Sequence, residues 1–144
     1  MGMNGSVVSG YDQYVDRMKA RTKTFAVQIV KLCQALPKDF AARAIGNQLL
    51  RAATSVGANY RAVCRARTGR EFTSKMRLVM EEADESLFWL EILAGADLVP
   101  AKSLITLTKE SDELVAIFTS AYAKAANRSK IKPNAKIPVK TSTL

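Results

Sequence analysis

Four long amphipathic segments joined by short links predict an all-α protein, an antiparallel up-down-up-down four-helix bundle. Three observations carry this expectation. Apolar residues recur at helical spacing in four stretches, and no stretch shows the period-two alternation of strands. Breakers stand between the stretches: Pro37, then Thr68 with Gly69, then Gly95 with Asp97 and Pro100. Links this short place consecutive helices side by side and antiparallel. With 144 residues, the chain is about one domain and long enough to bury a core.

Residues 1–13 are polar and aperiodic, and they read as a disordered amino terminus. The first helix is expected to begin near Tyr14 and to end at Leu36, where Pro37 stops it. Phe25, Ile29, Leu32 and Leu36 form its buried stripe. The second helix spans about 40–67, with Ile45, Leu49, Ala52, Val56, Tyr60 and Val63 on one side. Arg43, Arg51, Arg61 and Arg65 lie on the opposite side. Its small residues Ala52, Ala53, Ser55, Gly57 and Ala58 allow close helix approach. A mid-helix glycine costs about 1 kcal/mol relative to alanine, which suggests a neighbour passing close to Gly57.

The third helix covers about 70–94, with Phe72, Met76, Val79, Ala83, Leu87 and Leu90 on its core face. Leu78, Phe88, Trp89 and Ile92 point elsewhere. A helix apolar on more than one side is buried centrally or against another subunit, and these four residues are expected to form an oligomer interface. The fourth helix covers about 101–127, with Pro100 before its first turn. Leu104, Leu107, Ser111, Leu114, Phe118, Ala121 and Ala125 follow a heptad rhythm. The bundle proper is therefore expected over 14–128. Residues 129–144, with two prolines, four lysines and no acid, read as a flexible basic tail.

Charge is unevenly distributed. The chain carries 22 basic and 13 acidic residues, a net +9. Residues 41–70 hold six arginines and no acid, whereas 71–99 hold seven acids and two bases. Such segregation implies two oppositely charged helices pairing, or an electrostatic partner. Arg17, Lys19, Arg21 and Lys23 crowd the start of the first helix, where cations oppose the helix dipole; a partner explains them better than local stability. Arg51 is expected to pair with Glu82 or Glu85, within a subunit or across an interface.

The sequence contains no histidine, which removes Ser–His and Cys–His nucleophile systems and most transition-metal sites. No glycine-rich phosphate loop is present. The carboxylates Glu81, Glu82, Asp84 and Glu85 lack the Glu-x-x-His partners of di-metal bundles. No catalytic residue, metal or cofactor is expected, and the chain reads as non-enzymatic. Cys33 and Cys64 read as buried thiols of a reducing compartment. No apolar run, that beginning at Leu87 included, is long enough to span a bilayer. The opening MGMNGS matches a myristoylation pattern loosely enough to be chance. A cytoplasmic protein is expected.

Arg43, Arg61, Arg65, Arg67 and Arg70, with Arg21, Lys23 and the lysine tail, lie in stretches (17–38, 41–70 and 129–144) that contain no acid. Phosphate backbones suit such a surface, by shape and charge more than by base reading. Only Tyr60 and Tyr122 suggest base stacking. An acidic protein partner fits the same charges and is the alternative.

The stretch QLLRAATSVGAN, from Gln48 to Asn59, with EFTSKM at Glu71 and EEADESLFWL at Glu81, resembles the bacterial four-helix-bundle family linked to intervening sequences in large-subunit (23S) ribosomal RNA genes. Gln48, Leu49, Arg51, Ser55, Ala58 and Asn59 match the family's second helix. Phe72, Glu82, Glu85, Phe88, Trp89 and Leu90 match its third. The resemblance implies an antiparallel bundle, often a homopentamer. It also relates the chain to a nucleic-acid-binding accessory protein of diversity-generating retroelements. A reverse transcriptase or the ribosome is then the implied partner. One departure stands out: where the family carries Asn-x-x-Glu, this chain has Ala62 with Arg61 beside it, which makes the surface more basic.

Overall fold

The computed structural model describes residues 9–131. The opening MGMNGS and residues 132–144 of the tail lie outside the described residues. Four helices follow one another: α1 (Gly10–Gln34), α2 (Phe40–Cys64), α3 (Gly69–Gly95) and α4 (Ala101–Ile131). They pack as the four-helix bundle that the hydrophobic periodicity predicts. α3 is the hub, packing broadly on both α2 and α4, while α1 lies mainly along α2 and meets α4 over a narrow strip.

Local chemistry sets the helix ends. α1 starts four residues before the expected Tyr14, because the Ser9 hydroxyl caps it, accepting from the Asp12 amide at 3.1 Å. Residues 9–13 are thus helical or capping rather than irregular. Asp39 caps α2 by accepting from the Ala42 amide at 2.8 Å. α2 ends at Cys64, three residues before the expected Arg67, and the link that follows prepares the next cap. Thr68 accepts from the Glu71 amide, and the Glu71 carboxylate reaches back to the Arg67 amide, both at 3.1 Å. Thr68 and Gly69 therefore start α3 rather than merely ending α2.

α3 closes in a Schellman arrangement whose left-handed residue is Asp97 (φ 55°), not Gly95. The Leu98 amide donates to the Leu93 carbonyl and the Asp97 amide to Ala94, each at 3.1 Å. α4 continues past Asn127 to Ile131, so the first residues of the expected tail are helical.

The core is one cluster, with Phe25, Ile29, Leu49, Val56, Val79, Leu90, Leu104, Leu114 and Phe118 almost wholly enclosed. Leu32 and Leu36 are only partly covered. Both glycines inside α2 face α1. A Cβ on Gly57 would stand 3.2 Å from the Thr22 hydroxyl and 3.5 Å from the Thr22 backbone, and one on Gly46 would stand 2.8 Å from a Leu36 methyl. The neighbour expected near Gly57 is therefore α1 itself.

Candidate nucleic-acid interface

The contacts at Gly57 and Gly46 fix the antiparallel register of α1 on α2, so the start of α1 lies beside the end of α2. The start of α3 and the far half of α4 share that end of the bundle: Tyr11, Tyr14, Cys64, Phe72, Phe118 and Ala121 line one recess there. Cations gather on the same end. Arg61 belongs to the last turn of α2, Arg65 caps its end, Arg67 lies in the link and Arg70 in the first turn of α3, all four exposed. Exposed Arg17 comes from α1, and exposed Lys124, Arg128 and Lys130 from α4. The acids at this end are fewer. Asp12 accepts from the Ser9 hydroxyl at 2.5 Å, Asp16 is exposed, and Glu71 is taken up by the Arg67 amide and, at 4.0 Å, by Lys75.

Among the described residues, the side chains of Arg17, Lys19, Lys23, Arg43, Arg61, Arg65, Arg67 and Arg70 form no ion pair within 4.0 Å. The seven cations singled out in sequence do not, however, form one surface. Arg43 stands eighteen residues before Arg61 on α2, about 27 Å along the axis. Lys23 sits midway along α1, level with Val56. Arg21 is occupied: its Nε donates to Glu110 at 2.8 Å, and its Nη2 donates to Glu110 at 2.5 Å and Glu113 at 2.6 Å. This fork raises the Arg21 pKa, Glu110 being the main cause. The expectation that a partner explains the whole amino-terminal basic cluster fails for Arg21, which fastens α1 to α4 across the least extensive helix contact of the bundle.

Arg51 is also internal. It donates to Glu82 at 3.3 Å and to Glu85 at 2.5 Å, within one chain and across the α2–α3 seam. Glu85 further accepts from the Trp89 indole at 3.2 Å. The Arg51 bond, followed by that of Trp89, holds the Glu85 carboxyl below its usual range. Glu81 pairs with Arg77 at 2.9 Å. Three of the four clustered carboxylates of α3 are therefore engaged in ion pairs, and among the described residues no group of three acids or cysteines is placed to hold a metal ion.

Of the residues read as an interface, Leu78 and Phe88 are about half exposed, at 47% and 49%. Trp89 and Ile92 are partly covered. Trp89 packs on the core and edge-on to Phe88, with ring centroids 4.9 Å apart, so much of it serves the bundle rather than an outer face.

Aromatic placement differs from what the sequence suggests. Tyr60 is buried, its ring 5.6 Å from that of Phe118, and offers no stacking face to solvent. Tyr11 and Tyr14 do, at 55% and 43% exposure. They come from the stretch around the predicted disorder boundary. The signal that could have found them is their i, i+3 spacing behind the Ser-x-x-Asp cap that begins at Ser9.

Cys33 and Cys64 are free and half-buried. They stand at opposite ends of the α1–α2 seam, since Cys33 is level with Gly46, eighteen residues and about 27 Å from Cys64. No disulfide joins them. A second concavity of about 630 Å³, open to solvent, lies between α3 and α4, lined by Leu87, Leu104 and Ile105 with Glu91, Lys109 and Asp112. Its charges are mixed, and none of the unpaired arginines borders it. Among the described residues, no helix is long and apolar enough to cross a membrane.

Comparison with known proteins agrees with this architecture. No curated protein matches the chain. The crystal structure of a protein of unknown function from the S23 ribosomal protein family of Bacteroides thetaiotaomicron VPI-5482 superposes with a TM-score of 0.66 at 29% identity, covering 72% of this chain and 96% of that one. The profile of the 23S rRNA-intervening sequence protein family matches residues 17–120. That span holds the whole Arg51–Glu82–Glu85 lock and the arginines from Arg43 to Arg70, and the chain belongs to the 23S rRNA-intervening sequence protein family.

Proposed function

We propose that this protein is a non-enzymatic nucleic-acid-binding bundle whose interface is its basic end, with Arg61, Arg65, Arg67 and Arg70 as the central contacts and Arg17, Lys19 and the end of α4 flanking them. The observation that carries this reading is the convergence of unpaired guanidinium and ammonium groups from all four helices on one end, while Arg21 and Arg51 elsewhere are fully used by carboxylates. Unpaired cations repel one another and add nothing to the fold, so their clustering is best accounted for by an external polyanion. The link of the family to ribosomal RNA supports RNA as the ligand. Binding by charge and shape needs no catalytic group. We further propose that the chain assembles as a homo-oligomer through the outer face of α3, where Leu78 and Phe88 are half exposed; a pentamer is the assembly that the resemblance implies.

The test is binding to a structured RNA and to a DNA duplex across a salt series. Log affinity should fall linearly with log salt, about 0.7 to 0.9 of slope per phosphate neutralised. Arg61→Ala with Arg65→Ala should flatten that slope, whereas Arg43→Ala should leave it nearly unchanged. Absence of binding at low salt would refute the reading and leave an acidic protein as the partner of this surface.

A further inference from the structure

Resting on the nucleic-acid reading, we infer that the aromatic recess at the basic end receives one unpaired nucleobase, so that the protein prefers nucleic acid with a bulged or single-stranded nucleotide over a fully paired duplex. All four helices build the recess. Tyr60, Val63, Met76 and Phe118 are buried and form its floor, while half-exposed Tyr11 and Tyr14 stand at its rim. Its volume is about 100 Å³, less than the roughly 150 Å³ of a cavity that elsewhere accommodates benzene, so it takes the edge of one planar ring while the tyrosines at the rim stack on the rest.

Position argues for a base rather than another aromatic or aliphatic group. Lys19 and Arg65 lie close enough to Cys64, on the wall of the recess, to act on its thiol electrostatically, opposed by Asp16. Among the described residues, neither cation has a carboxylate partner within ion-pair distance. A nucleotide carries both features that the site can use, a π face for the tyrosines and a phosphate for the cations. A duplex keeps its bases stacked and cannot present one. An unpaired nucleotide has no base pair to break and is more easily unstacked, so it enters at lower cost.

The experiment compares one RNA hairpin bearing a single bulged nucleotide with the same hairpin carrying an abasic residue at that position. Phosphate number and charge are identical in the two. The bulged base should bind roughly 5- to 150-fold tighter than the abasic hairpin, the range for one base stacked on an aromatic side chain. Tyr11→Leu with Tyr14→Leu should bring the ratio to about one while leaving abasic affinity and its salt slope unchanged. Both tyrosines are exposed enough for the fold to survive; Ala121→Leu, which fills the recess from α4, should have the same effect. A deoxyribose version of the bulged hairpin tells whether the sugar matters, and preference for either sugar satisfies the inference. Equal binding of bulged and abasic hairpins overturns the inference and leaves the basic-end reading standing. Failure of both hairpins to bind at low salt overturns both.

Discussion

Alanine at the two glycines of α2 should have opposite consequences, although both sit inside one helix and both face α1. Replacing a mid-helix glycine by alanine contributes up to about 1 kcal/mol through backbone entropy. At Gly46 the new methyl meets the end of the Leu36 side chain at 2.8 Å. Leu36 is only partly buried, near the end of α1, and can rotate away. At Gly57 the methyl meets the Thr22 hydroxyl at 3.2 Å and the Thr22 backbone carbon at 3.5 Å. Thr22 is wholly buried, and its hydroxyl donates to the Met18 carbonyl at 2.9 Å and reaches that of Lys19 at 3.2 Å. Relief there requires α1 to move off α2, and overpacking of this kind costs about 1–3 kcal/mol. Gly46→Ala should therefore be neutral or up to about 1 kcal/mol more stable, and Gly57→Ala up to about 2 kcal/mol less stable after the helix gain is subtracted. Urea unfolding measures both, with an unchanged m-value marking a shift in stability alone; in melting temperature each kcal/mol is about 3–6 °C for a domain of this size. Equal shifts of the same sign would refute the claim that the rigidity of the facing residue decides the outcome.

Other outcomes follow from the same geometry. The Ser111 hydroxyl is buried with no hydrogen-bond partner among the described residues, so Ser111→Ala should stabilise the bundle by about 1 kcal/mol in urea unfolding; a loss of stability would mean the hydroxyl is satisfied. Arg51 lowers the Glu85 pKa, so the stability this carboxylate contributes is intact above about pH 4.5, its ordinary value, and is lost as pH falls through the lowered folded value. Glu85→Gln should accordingly flatten the acid limb of a stability–pH curve, and an unaltered limb would remove Glu85 from the lock. Burial raises both thiol pKa values, so iodoacetamide at neutral pH should alkylate Cys33 and Cys64 far more slowly in the folded protein than in urea, by mass spectrometry; matching rates would contradict their burial.

Much of the fold was legible because periodicity reports burial directly: Phe25, Ile29, Leu49, Val56, Val79, Leu90, Leu114 and Phe118 were placed in the core by spacing, and the core is where they lie. Helix ends were less legible. Thr68 reads as a breaker until its Thr-x-x-Glu cap is noticed, and the left-handed residue that closes α3 is Asp97 rather than a glycine. The candidate interface was only partly legible for a different reason. A sequence shows which cations lack acidic neighbours along the chain, not which lack them across the bundle. Arg21 has no close acid in sequence, yet Glu110 and Glu113 meet it from α4. The recess needed all four helices in place, and Tyr11 and Tyr14 carry no sign in sequence of facing Phe118.

Register across the seams then explains why some arginines are consumed by the fold and others are left over. α2 and α3 run antiparallel, and Glu82 with Glu85 meets Arg51. Moving ten residues along α2 to Arg61 moves about ten back along α3, to Phe72, Thr73, Ser74 and Lys75, where the nearest acid is Glu71, already held by the Arg67 amide and Lys75. The α1–α4 seam repeats the pattern. Arg21 meets Glu110 and Glu113, but Arg17, one turn earlier, is level with the apolar stretch of α4 from Leu114 to Ile117, and α4 has no further acid up to Ile131. On α3 and α4 alike the carboxylates thin out toward the same end, where Glu71 is engaged and Asp12 and Asp16 of α1 are outnumbered by the cations. A bundle needing its arginines only for stability would have matched them along the whole seam, since an unmatched cation beside others raises the energy of the folded state. Matched charge at mid-height and largely unmatched charge at one end divides the molecule into a locked body and a surface whose electrostatic energy would fall on meeting an anion.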